Sequence, residues 1–225
     1  MQIAIPLFDR FTAQDAIGPY QVLSAIPGAE VRFIGPEPGP VRTDNRMLTV
    51  LVEERWEDVP APDVLVVPGG IGTRALLREE RMLDWVCGAH ASSQWTTSVC
   101  TGSLVLAAAG VLDGVEATTN WLEYDLLAEL GARPVRERVV ERGKIVTGAG
   151  VTAGLDMALL LASRLAGPEV AQAIQLGLEY DPQPPFDAGS PDKAPAEIVE
   201  LVRGAVGAIE AQALAEIEAE ASATS

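Results

Sequence analysis

Short apolar runs bounded by Gly, Pro and Asp alternate along this chain with stretches whose apolar residues recur every three or four positions. The first kind of pattern predicts buried strands and the second amphipathic helices. Strands are predicted over 2–8, 30–35, 48–52, 63–67 and 95–99, with a hairpin formed by 139–141 and 145–147 around Arg142-Gly143. The run 63–67 (DVLVV) is apolar throughout and stops at Pro68-Gly69-Gly70. A helix over 19–26 would use Gly18-Pro19 as cap and first residue and stop at Pro27-Gly28. Further helices are predicted over 79–90, where Met82, Leu83, Trp85, Val86 and Ala89 carry the spacing, and over 101–109, 121–130 and 151–166. Gly110, Gly131 and Gly167-Pro168 follow the last three as stops.

Strands alternating with helices imply βαβ units and a largely parallel sheet, an α/β fold. Residues 1–180 read as that α/β domain. Residues 181–195 are proline-rich and irregular, and an Ala/Glu helix follows over 196–219 with Ile198, Leu201, Val202, Val206 and Ile209 at helical spacing. This tail, 181–225, is expected to pack on the same domain or to form a dimer interface.

Composition narrows the function. The chain carries 32 acidic against 16 basic residues, a formal charge of −16. Such a surface repels nucleic acid and anionic lipid, so neither is expected as a partner. No apolar run is long enough to span a membrane, and the first residues lack the basic start of a secretion signal. Two cysteines, Cys87 and Cys100, imply no disulfide framework and suit a reducing cytoplasm. With His90 as the sole histidine, a Cys/His zinc site is not expected.

In parallel sheets, ligands sit beyond the carboxyl ends of the strands. Three segments meet that condition: the loop carrying Asp15, the Pro68-Gly69-Gly70 turn, and the Val99-Cys100-Thr101 junction. At the junction a strand runs into a helix with almost no loop, the geometry of a nucleophile elbow with Cys in place of Ser. The helix end should lower the thiol pKa, and the N–H groups of Thr101 and Gly70 could face a developing anion. Asp15 is a candidate neighbour of Cys100. Within hydrogen-bond reach the two would share one proton, with thiolate and protonated Asp15 as the expected stable form. Cys87, mid-helix, is expected in the core. His90 is expected at a solvent-facing helix end, far from Cys100.

The set Asp15-x-x-Gly18-Pro19, Pro68-Gly69-Gly70 and Ser98-Val99-Cys100-Thr101-Gly102-Ser103 resembles the ThiJ/PfpI superfamily. The segments Ala117-Thr118-Thr119, Thr147-Gly148 and Ala153-Gly154 extend the likeness, and the stretch Leu178-Glu179-Tyr180, Pro184-Pro185-Phe186 and Ala188-Gly189-Ser190-Pro191 resembles its isonitrile hydratase branch most specifically. The resemblance implies a flavodoxin-like, class I glutamine-amidotransferase-like three-layer sandwich and a homodimer. It implies Cys100 as nucleophile, Asp15 as acid partner, and a Thr101 hydroxyl that orients substrate or thiolate, with Gly69, Gly70 and Ile71 lining the oxyanion and substrate site. No metal or organic cofactor is implied. The implied reaction takes an isonitrile and water to an N-substituted formamide through a thioimidate. Two departures stand out. Thr101 follows the nucleophile where the protease-like branches have His, which disfavours peptidase chemistry. Asn120 stands where His is expected in the Thr-Thr-x-Trp segment, at the pocket edge. A glyoxalase- or amidase-like thiolate enzyme of the same superfamily, or a cysteine-based redox or small-molecule sensor, remains the alternative.

Overall fold

The structure, a computed structural model, describes residues 1–223. Residues Met1–Glu179 form one compact unit, and a second begins at Tyr180. In chain order the first unit contains β1 (Gln2–Pro6), α1 (Ala13–Leu23), β2 (Glu30–Gly35), β3 (Gly39–Arg42), β4 (Thr49–Val52), β5 (Glu54–Arg55), β6 (Val64–Val67), α2 (Thr73–Leu76), α3 (Glu80–Ser92) and β7 (Trp95–Val99). It continues with α4 (Gly102–Ala108), β8 (Glu116–Ala117), α5 (Tyr124–Glu129), β9 (Arg133–Pro134), β10 (Val139–Arg142), β11 (Ile145–Gly148), α6 (Ala153–Ala166) and α7 (Pro168–Gly177).

Seven strands make the central sheet in the order β10-β11-β7-β6-β1-β2-β5. Every pairing is parallel except that of β10 with β11. Helices α1, α6 and α7 pack together, as do α2, α3, α4 and α5, and they flank the sheet in the three-layer arrangement. The middle strands are buried on both faces, which is why β6 reads VLVV without alternation. Each such side chain contributes about 1.5–3 kcal/mol by leaving water.

Several elements differ from expectation. Helix α1 begins at Ala13, and Pro19 lies inside it. Pro19 cannot donate to the carbonyl four residues back, so the local signal favours a start at Pro19. Packing overrides it: a Cβ built on Gly154 of α6 would lie 3.3 Å from the Pro19 ring, so the two helices meet there. Asp15 is therefore on the first turn of a helix and not in a loop. Strand β3 pairs with β4 outside the main sheet, and Pro40 within it hid the strand pattern. Helix α7 follows α6 directly, with Pro168 as its first residue, so the stop signal at Gly167-Pro168 was also a start. Cys87 is exposed and not in the core. The buried stripe of α3 is Met82, Trp85, Val86 and Ala89, and Cys87 lies one step of 100° beyond it.

The second unit has no helix or strand over 180–195, where Lys193 pairs with Asp187 at 2.7 Å. Helix α8 (Ala196–Ala223) follows, with Ile198, Leu201, Val202, Ile209 and Leu214 exposed.

Candidate active site

The carboxyl ends of β1, β6 and β7 are neighbours, and the loops leaving them meet. The Thr12 N–H donates to the Gly69 carbonyl at 2.8 Å, which ties the start of α1 to the turn after β6. This puts Asp15 over that turn, fully buried. Its Oδ2 accepts the Gly69 N–H at 3.0 Å, and the carboxyl lies near Cys100, close enough for each to shift the other's pKa. Oδ1 is buried with no hydrogen-bond partner.

Gly69 has to be glycine. A Cβ there would fall 2.6 Å from the Thr101 nitrogen and 2.7 Å from Asp15 Oδ2. Gly69→Ala is expected to cost about 1–3 kcal/mol of stability, because the crowding atoms belong to backbone and to a buried side chain. Chemical unfolding of the purified variant checks it. At Gly102 a Cβ would lie 2.1 Å from the Val67 carbonyl, so only glycine lets α4 start this close to β6.

Cys100 has φ +56°, in the left-handed region that a side chain normally avoids. The surroundings hold it there. Its N–H donates to the carbonyls of Gly148 and Ala149, at 3.0 and 2.7 Å. Its carbonyl accepts the hydroxyls of Ser103 and Thr119, at 3.1 and 3.0 Å. Strain of roughly 1–3 kcal/mol persists only where neighbours over-determine the backbone, and it aims the side chain. The residue is 5% exposed. Three neutral donors surround the sulfur: the N–H groups of Thr101 and Val151 and the Asn120 amide, whose Nδ2 lies 3.5 Å away.

Burial dominates the electrostatics. It pushes Asp15 up from 3.8 to about 7, against the Gly69 hydrogen bond and the nearby Cys100 thiol and helped by the charge of Asp44. Asp44 is held near the site by the Thr12 hydroxyl, at 2.8 Å. Burial also pushes the Cys100 thiol above its ordinary range, aided by the negative charge of Asp15 and opposed by the three donors. The expected lowering of the thiol pKa by the elbow is therefore corrected: desolvation outweighs the donors. Burial raises both groups, and the proton that leaves near neutrality belongs to the pair rather than to either residue. Across neutral pH the pair moves between two protons and one.

The turn glycines also differ from expectation. Gly70 does not aim its N–H at an open anion site, because it donates to Thr101 Oγ1 at 2.9 Å. The Thr101 hydroxyl lies 3.2 Å from the Gly70 carbonyl, to which it donates in return. That hydroxyl fixes the turn to the junction, and the Gly69 N–H is taken by Asp15. Ile71, half-buried, comes next at the entry to α2. His90 is half-buried beside Thr96 at 2.8 Å, at the opposite end of β7 from Cys100. Asn120, expected only at the pocket edge, touches the sulfur. Val151, expected as the first residue of a helix, sits in the turn before α6, and Asp44 sits in a short turn that no periodicity marks. Among the described residues, no group of three or more His, Cys, Asp or Glu side chains could hold a metal ion.

A model of the DJ-1/PfpI family matches residues 1–164. The chain is 47% identical to the isonitrile hydratase of Pseudomonas putida over 90% of its own length and 89% of that protein. The crystal structure of a ThiJ/PfpI family protein from Pseudomonas syringae superposes with a TM-score of 0.89 at 36% identity, covering 94% of this chain and 88% of that one. Drosophila melanogaster DJ-1beta, at 23% identity and a TM-score of 0.73 over 80% of this chain and 98% of its own, shares the fold.

Proposed function

This chain belongs to the DJ-1/PfpI family, and on that premise we propose that it is an isonitrile hydratase whose nucleophile is Cys100 and whose acid–base group is Asp15. One observation carries the assignment of roles: a cysteine on a strained elbow beside a fully buried carboxyl, whose burial raises its pKa well above the usual carboxylate range. The likeness to the Pseudomonas putida enzyme supports the substrate class.

The chemistry balances within the pair. When the pair holds one proton, the sulfur attacks the terminal isonitrile carbon as that proton reaches the same carbon through Asp15. This forms a C–S and a C–H bond and leaves a thioimidate and a carboxylate. The carboxylate takes a proton from water as the water oxygen bonds to carbon, and returns it to nitrogen. The C–S bond breaks as the tetrahedral hydroxyl gives its proton to Asp15. The products are the N-substituted formamide, thiolate sulfur and protonated Asp15, so the pair again holds one proton. One carboxyl acting as acid and then as base is normal for covalent catalysis. The three donors around the sulfur support the leaving thiolate. Ile71 faces the substrate, and the hydroxyl of Thr101 keeps the Gly70 turn in register with Cys100. The family likeness supports a cytoplasmic homodimer acting on isonitrile and water without a cofactor.

The test incubates purified protein with alkyl and aryl isonitriles, alongside methylglyoxal and small amides. Formamide formation that disappears in Cys100→Ala is expected. Turnover of methylglyoxal or amides without formamide would move the assignment to another thiolate activity of the family.

The pH profile follows from the pair. Below about 7 both groups are protonated, and no thiolate forms without releasing a proton to water. Activity as kcat/KM is therefore expected to rise through about pH 7. It should fall again only above the ordinary thiol range, where the acid proton is gone. Initial rates across buffers of constant ionic strength check this.

A further inference from the structure

We propose that Asn120 is a catalytic residue that donates one amide N–H to the Cys100 sulfur, stabilising it as an anion when it attacks and when it leaves. The proposal deepens the thiolate reading above.

The geometry fixes which way the amide points. Asn120 Oδ1 accepts the Leu122 N–H at 3.0 Å. The oxygen is thereby committed to its own turn, and the NH2 group is the end that faces the sulfur, with Nδ2 at 3.5 Å. A flipped amide would set a carbonyl oxygen against the sulfur and lose the Leu122 bond. The turn itself is anchored on both sides. Thr119 donates its hydroxyl to the Cys100 carbonyl at 3.0 Å. Glu123 donates its N–H to the Asn120 carbonyl at 2.9 Å, and its carboxylate, nearly buried, grips Arg74 of α2 at 2.6 Å. Arg74 and Glu123 thus act as positioning residues. They tie the turn bearing Asn120 to the helix that follows the Gly69-Gly70 turn.

An amide differs in kind from the histidine expected at this position. It cannot release or take up a proton, so it cannot compete with Asp15 for the proton of the pair. It offers the sulfur a donor whose strength does not change with pH. Opposite it, a Cβ built on Gly150 would lie 3.9 Å from Nδ2, so glycine leaves open the space beside the amide.

The test uses Asn120→Asp and Asn120→Ala in the full chain. Asn120→Asp keeps the shape and the acceptor for Leu122 but presents oxygen to the sulfur, so it serves where the alanine variant fails to fold. The first readout is the rate of Cys100 alkylation by iodoacetamide at about pH 8, which needs no isonitrile. A donor to a charged group is worth about 1.5–3 kcal/mol, so alkylation should slow about tenfold to a hundredfold, with the larger effect in Asn120→Asp. The second readout is isonitrile turnover, where kcat should fall in step while KM changes by less than about threefold. Alkylation at the wild-type rate in folded variants overturns the role of Asn120, even if the wild type hydrates isonitriles. Slowed alkylation without any isonitrile turnover by the wild type leaves Asn120 in place and removes the substrate.

Discussion

Cys100→Ala is expected to abolish formamide formation, with a loss of at least about ten-thousandfold in kcat, because the covalent path has no other nucleophile. Cys100 is the one cysteine at the carboxyl edge of the sheet. Cys87, exposed on α3, belongs to a different surface. Cys87→Ala is accordingly expected to keep wild-type turnover. Folding of Cys100→Ala should be preserved, since the backbone is pinned by four hydrogen bonds that do not involve the sulfur. Formamide release measured by chromatography, with circular dichroism alongside, reads both effects. A Cys100→Ala variant that still turns over isonitrile would remove the thioimidate from the account.

Asp15→Asn carries the second large effect. Its amide oxygen can still accept the Gly69 N–H, but the side chain can no longer pass a proton. The expected loss in kcat is about a hundredfold to ten-thousandfold, the range of a general acid–base group. Stability should move the other way. Burial raises Asp15 in the folded protein from 3.8 to about 7. Between those two pH values the folded state holds a proton that the unfolded chain has lost, so wild-type stability falls as pH rises through the window. The shift corresponds to on the order of 4 kcal/mol, fully expressed above about pH 7. The stability advantage of Asp15→Asn over wild type is therefore expected to grow from pH 3.8 to about 7 and then level off. Urea unfolding of both proteins across that range measures it. An advantage that does not change with pH would mean that the carboxyl is not perturbed by burial.

Much of this was legible in the chain because period and punctuation agree there. β2 and β7 match their expected bounds, since EVRFIG and WTTSV are compact runs with clear stops. The hairpin of β10 and β11 turns at Gly143, which has φ +59°. The elbow was readable because a strand and a helix pattern meet at Cys100 with no room for a loop. Helix α1 was misread because Pro19 is a local stop signal that packing against α6 overrides. A start at Pro19 places Asp15 in a loop, whereas packing puts it on the first turn of α1. The electrostatics were misjudged for a related reason. A helix end can be read from sequence, but the depth of burial that lifts both groups of the pair comes from the assembled layers. Asn120 was noticed as a departure, yet its place on the sulfur depends on a turn after the two-residue strand β8, too short to show any period.

The most direct measurement is the mass of the protein, acid-quenched during turnover of an aryl isonitrile and then digested. One isonitrile is expected on the peptide containing Cys100, appearing before formamide and decaying as substrate runs out. Formamide accumulating from a protein whose Cys100 peptide stays unmodified at every quench time would contradict that expectation.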